Sequence, residues 1–321
     1  MLRMHFFGQV RVYRDDNYLD KFPTRKAQLL FCYLVWHREQ CHSRNVLTGL
    51  FWQDSPEEQA RKSLRTTLWR LKKLLGADPN PEQPCLLVDN DDICFNTESD
   101  YWLDVEEFEK NLSQLPPHAM TEGDSHPDEQ TLHALTKAVE LYQGDFMQGC
   151  YEDWCLFERE RLQGLFLDAL IRLMDHHRKQ GTYEEAIRYG LRVLSYDPLL
   201  EQVHREVMRL HCLAGNRAAA MRQYHLCEAV LAKELGIEPM KETIELYAQI
   251  RHSARTPEPG HGAQDHRPST GKPGSKKTTL PLASHMDDAL NELKLAQAGF
   301  QHLSARFQRA VQVLEDIRQN F

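Results

Sequence analysis

The chain has 321 residues, with 39 Lys and Arg against 47 Asp and Glu, a net charge of −8 and a pI near 6.1. At that charge no global field draws the molecule onto nucleic acid or an anionic membrane, so DNA binding would have to rest on a local patch. A hydrophobic content of 41% beside 27% charged residues describes an ordinary folded chain, long enough for two compact domains and tails.

The opening MLRMHFFGQV lacks the long apolar region of a signal peptide, and the longest apolar run, residues 29–36, is too short to span a bilayer. The expected location is therefore the cytoplasm, with no membrane partner. Eight cysteines form no CxxC pair and no zinc-finger spacing, and Cys32 and Cys94 read as small core residues. No metal and no cofactor is expected. With no phosphate-binding loop and no paired nucleophile and base in a familiar setting, neither is an enzyme.

Residues 2–20 hold short alternating runs separated by Asp15, Asp16 and Asn17, which predicts a small antiparallel sheet. Thr24 can cap a helix over 25–38 whose apolar side is Ala27, Leu30, Phe31, Leu34 and Val35. Ser43 can cap a second over 44–52, with Val46, Leu47, Leu50 and Phe51 inward. A short link then enters SPEEQARKSLRTTLWRLKKLLG, residues 55–76. Ser55 with Glu58 has the form of a capping box, Pro56 suits the first helical position and Gly76 the end.

In this third helix Ala60, Leu64, Leu68, Leu71 and Leu75 recur at steps of three and four and form one core-facing stripe. At about 100° per residue, Lys62, Thr66, Trp69 and Lys73 fall opposite that stripe, with Arg65 and Arg70 on its flanks. The candidate DNA-binding residues are these six, with Arg61 and Arg44 as phosphate contacts. Arg and Thr can address base edges, whereas Lys mainly positions the protein on the backbone. A proline-rich loop and a hairpin turning at Asp89–Asp92 follow. A sheet, three helices and a terminal hairpin make a winged helix-turn-helix, whose third helix enters the major groove.

PTRKAQLLFCYLVWHREQCHSRNVLTGLFW followed by ARKSLRTTLWRLKKLLG resembles the OmpR-type winged helix of the Streptomyces antibiotic regulatory protein family, over most of residues 2–105. The wing departs from the family's Gly-Pro-Gly-Tyr type: Asp89-Asn90-Asp91-Asp92 would be repelled by phosphates, so this tip is expected to point away from DNA or to serve a protein contact.

From Tyr101 the pattern turns helical, with a short helix over 105–112, a loop over 113–127 and helices to about residue 251. Gly181-x-x-Glu184-Glu185-Ala186 and Gly215-x-x-Ala218-Ala219-Ala220 lie 34 residues apart, the tetratricopeptide (TPR) period. LYQGDF at 141–146, Trp154, Glu158-Arg159, Leu162 and ELGIEP at 234–239 with Leu246-Tyr247 resemble the bacterial transcriptional activation domain (BTAD) that follows the winged helix in that family.

Residues 253–284 are rich in Pro, Gly, Ser, Thr and Lys and read as a flexible, disordered linker. From Met286 to Phe321 apolar residues step by three and four, so Leu293, Phe300, Leu303, Phe307, Leu314 and Ile317 lie on the seam of a coiled-coil oligomerisation helix. The expected architecture is mainly α: 1–100 a winged helix-turn-helix, 101–252 a TPR-like activation domain, 253–284 a linker and 285–321 a coiled coil. The resemblance implies a transcription regulator, an activator, whose partners are double-stranded promoter DNA, RNA polymerase or a regulatory protein, and further copies of itself. The alternative is a TPR-type scaffold or sensor for peptide, protein or small ligand, with the winged helix as a protein-binding module.

Overall fold

The computed structural model describes residues 1–19, 22–76, 84–113 and 129–252. The expected linker and coiled coil, with Leu293, Phe300, Leu303, Phe307, Leu314 and Ile317, lie outside the described residues. Described residues up to Phe166 form one compact unit and those from Leu167 onward a second. The described chain is mainly helical, with ten helices and two small sheets. Among the described residues no helix is long and apolar enough to cross a membrane.

The first unit opens with β1 (Leu2–His5), β2 (Arg11–Arg14) and β3 (Asn17–Tyr18). Helix α1 (Arg25–Trp36) follows, and Thr24 accepts from the Ala27 amide at its start. After β4 (His42–Ser43) comes α2 (Arg44–Phe51), where Ser43 accepts from Val46 in the same way. Leu47 and Phe51 of α2 are buried, but Val46 and Leu50, expected inward, are 50% and 46% exposed. An eight-residue helix presents one face to the core, and those two lie on the flank that solvent keeps.

Helix α3 (Glu57–Leu75) begins without the capping box expected of Ser55. The Ser55 amide donates to the Trp52 carbonyl at 3.0 Å, closing a turn that leaves its hydroxyl one residue outside the cap. Pro56 takes that position with no side-chain bond, and Gly76 ends the helix at φ 78°. The predicted stripe of Ala60, Leu64, Leu68, Leu71 and Leu75 is buried throughout. Strands β5 (Leu86–Val88) and β6 (Asp92–Phe95) form the wing, and β4 pairs with β6 through His42 with Ile93 and Ser43 with Asp92. Cys94, expected as a core thiol, is bonded to Cys41 in a disulfide. These cysteines are 53 residues apart in sequence, a pairing no local pattern announces.

The residues after the wing are a strand before they are a helix. β7 (Tyr101–Leu103) lies parallel to β1, completing a sheet ordered β3-β2-β1-β7 where a purely antiparallel one was expected. Asp104 then opens α4 (Asp104–Ser113), and its carboxylate accepts from the Phe6 and Phe7 amides at 2.8 and 3.0 Å. After α5 (Glu129–Leu141), the loop at 142–150 returns to the end of β1. Gly8 donates to the Asp145 carbonyl, while Met147 and Gln148 donate to those of Phe6 and Gly8. Phe6, Phe7, Phe108, Tyr142, Phe146 and Phe166 are fully buried around this seam. Arg159, 4% exposed, holds the loop by donating to the carbonyls of Phe146, Met147 and Cys150.

Arg159 lies on α6 (Asp153–Lys179), which supplies residues to both units. The second unit continues with α7 (Tyr183–Tyr196), α8 (Glu201–Leu213), α9 (Arg217–Glu234) and α10 (Lys241–His252). Gly181 and Gly215, at φ 74° and 76°, turn the chain before α7 and α9 at equivalent places. A buried polar cluster joins α8 to α10: the Glu201 carboxylate accepts from the Met240 amide and the Thr243 hydroxyl. His204 lies between Gln223 and the Pro198 carbonyl, and burial pushes its pKa down.

Candidate nucleic-acid interface

The same period that buries one side of α3 exposes the other. Lys62, Arg65, Thr66, Trp69, Arg70 and Lys73 are all exposed, and Trp69 keeps 63% of its surface open. Lys73 Nζ lies 5.4 Å from the centre of the Trp69 ring, so the indole is flanked by a cation on its own helix. Thr66 turns its hydroxyl back to the Lys62 carbonyl at 2.9 Å and keeps acceptor capacity outward. Among the described residues, Lys62, Arg65, Arg70, Lys72 and Lys73 have no carboxylate within ion-pair distance. Among the described residues, positive charge on this face is therefore uncompensated.

The two expected phosphate contacts are differently placed. Arg61 pairs with Glu57 at 2.7 Å and donates to the Asn45 amide oxygen at 3.2 Å, tying α3 to α2. Arg44 directs its guanidinium to the Asp89 carbonyl at 3.0 Å and its backbone amide to the Asp91 carbonyl at 2.9 Å, so it holds the wing turn. Part of their donor capacity is already used inside the protein. The six exposed residues share one helix face, while Arg44 and Arg61 stand at the junctions beside it.

A groove of about 790 Å³ runs along one flank of α3, lined by Lys26, Trp52, Gln59, Lys62, Thr66 and Arg70 among others. Lys26 Nζ lies 5.6 Å from the centre of the Trp52 ring, which places a cation and an aromatic wall against the basic face. Sequence reasoning missed Lys26 and Trp52 because they stand 36 and 10 residues before Lys62, outside any helical period of α3. Their one sequence signal is position, at the start of α1 and the end of α2, where a helix-turn-helix packs its supporting elements. Lys, Arg, Thr and Trp around a groove, with Glu58 as the acid among its lining residues, suit an anionic, hydrogen-bonding ligand such as a nucleic-acid backbone.

Comparison with known proteins places these features in context. The model of the family described as "Bacterial transcriptional activator domain" matches residues 103–251. The chain is similar to the regulatory protein AfsR of Streptomyces griseus, 25% identical over 249 residues, and of Streptomyces coelicolor, 26% identical over 252. Each alignment covers 78% of this chain and 24% of the relative, so the chain spans about a quarter of the length of these curated relatives. Among solved structures, Mycobacterium tuberculosis EmbR, in complex with a low-affinity phosphopeptide, shares the fold with a TM-score of 0.57. The two are 17% identical, and the match covers 78% of this chain and 65% of that one.

Proposed function

We propose that this chain, whose residues 103–251 match the bacterial transcriptional activator domain, is a regulator of the Streptomyces antibiotic regulatory protein type with a winged helix before that domain, a DNA-binding activator reading a promoter element through α3. The observation that carries this reading is the exposed cationic face of α3, unpaired among the described residues, on a protein whose net charge is −8. A solvated surface helix gains by interleaving acids with its bases, and this one carries none after Glu58. Arg65, Thr66 and Arg70 are assigned to base edges, and Lys62 and Lys73 to phosphates. Lys26 joins them from the groove. Trp69 stacks against the sugar-phosphate edge. The helical segment beyond the wing is assigned to polymerase or a regulatory protein, and the residues after 284 to self-association.

The test is a gel shift of the full chain on duplexes selected from a random pool, repeated over a salt series. Each phosphate contact contributes about −0.9 to the slope of log K against log salt. Lys62→Ala should weaken binding evenly across sequences and flatten the slope by about one unit. Arg70→Ala should cost about 1–3 kcal/mol and relax preference at one base pair. Salt-independent binding, or no selected sequence, would favour the scaffold reading instead.

A further inference from the structure

We propose that Cys41 and Cys94 form a reversible dithiol-disulfide switch that locks the wing to the start of α2 when oxidised, exchanging with small-molecule disulfides. The two are bonded in the structure, with Cα atoms 4.5 Å apart. Cys41 is exposed and Cys94 half-buried, so the bond can be reached from solvent. Five of the six remaining cysteines, Cys32, Cys85, Cys150, Cys155 and Cys227, are buried thiols; Cys212 is exposed. Accessible disulfides are the labile, regulatory kind, whereas buried thiols are inert to exchange.

The position of the bond gives the switch its effect. Residues 41 and 94 bracket β4, α2, α3 and β5, so the disulfide closes a loop that contains α3. Other ties between the wing and the α2 start are slight. The β4–β6 ladder is two residues long, and Arg44 adds its amide to Asp91 and its guanidinium to Asp89. Opening the disulfide leaves the wing tied to the α2 start by that short ladder and those two hydrogen bonds, while Leu86, Ile93 and Phe95 keep its base buried.

In the closing direction the Cys41 thiolate attacks one sulfur of a small disulfide, forming a mixed disulfide and expelling one small thiolate. The Cys94 thiolate then attacks the Cys41 sulfur, forming the protein disulfide and expelling the second. Two electrons pass from the protein dithiol to the small disulfide, which leaves as two thiols carrying the two protons. Small thiols reverse both steps.

The exchange chemistry stands independently, while its effect on DNA rests on the regulator reading above. Full-length protein is equilibrated in glutathione buffers of graded thiol-to-disulfide ratio, free thiols are trapped with a maleimide, and peptides are mapped by mass. Cys41 and Cys94 should open and close together without denaturant while the five buried cysteines stay thiols. Amides of residues 86–95 should exchange more slowly in the oxidised form, which should bind the selected duplex about fivefold tighter or more. Cys94→Ser and, independently, Cys41→Ser should behave as the reduced protein at every ratio. A pair that does not interconvert, or wing exchange alike in both states, overturns the switch. Equal DNA affinity in both states overturns its coupling to the reading head. Absence of DNA binding in either state counts against the regulator reading, and the amide exchange then decides the switch alone.

Discussion

Asp104 keeps 2% of its surface exposed at the β7–α4 junction, yet its carboxylate faces three hydrogen-bond contacts from two backbone amides. Burial outweighs those bonds and raises its pKa from 3.8 to about 6. His5 stands 3.8 Å away, but burial, then Arg11 and Arg3, push its own pKa down, which weakens it as a counter-charge. Because the folded pKa lies above the unfolded one, the folded chain holds more protons between pH 4 and 6. Stability from this group is greatest below pH 4 and falls as pH rises through 6, by about 3 kcal/mol in total. Urea unfolding at several pH values should show wild type losing that much relative to Asp104→Asn across the window. A constant gap between the two proteins would refute the assignment. Asp104 shows no such character in sequence, where it is one acid among several opening an amphipathic helix.

Elements divide into those whose ends are written locally and those whose surroundings set them. Thr24 and Ser43 cap their helices as their residue types predict, while Ser55 loses its cap because the Trp52–Ser55 turn moves the helix start past it. Gly190 on α7 is a sharper case, since a glycine inside a helix weakens it by about 1 kcal/mol relative to alanine. A Cβ there would come within 2.6 Å of Val207 on α8 and 3.0 Å of the Met174 sulfur on α6. Its absence lets three helices of the second unit meet. Gly190→Ala should therefore destabilise by about 1–3 kcal/mol despite its better helix propensity, read as a shift of the urea midpoint at unchanged slope. An unchanged or raised midpoint would mean the crossing can relax.

For the molecule as a whole, the composition of the first unit matters more than its boundary in sequence. The described residues 103–113 and 129–166 belong to the stretch matched by the activator-domain model, yet they fall in one compact unit with the described residues before them. The β1–β7 ladder, the Asp104 carboxylate and the 142–150 loop all close on the end of β1. A chain cut after residue 100 loses all three and bares Phe6 and Phe7. It should melt without a cooperative transition and bind a hydrophobic dye, while the full chain does neither. A sharp melt within a few degrees of the full chain would show that the winged helix stands alone. The net charge of −8 acts at this scale too, opposing long-range attraction of the molecule as a whole to any polyanion.

What the sequence determined by itself is what repeats at short range: the buried and basic sides of α3, two helix caps and the paired glycine turns before α7 and α9. A helical period of 3.6 residues and the conformational freedom of glycine are local properties, legible wherever they occur. The tertiary structure alone decided the parallel β7, the Cys41–Cys94 bond, the burial of Asp104, the wing-directed guanidinium of Arg44 and the meeting of Lys26 and Trp52 beside α3. Each joins residues whose neighbourhood exists only once distant segments have packed, and burial and electrostatic environment are properties of that packing.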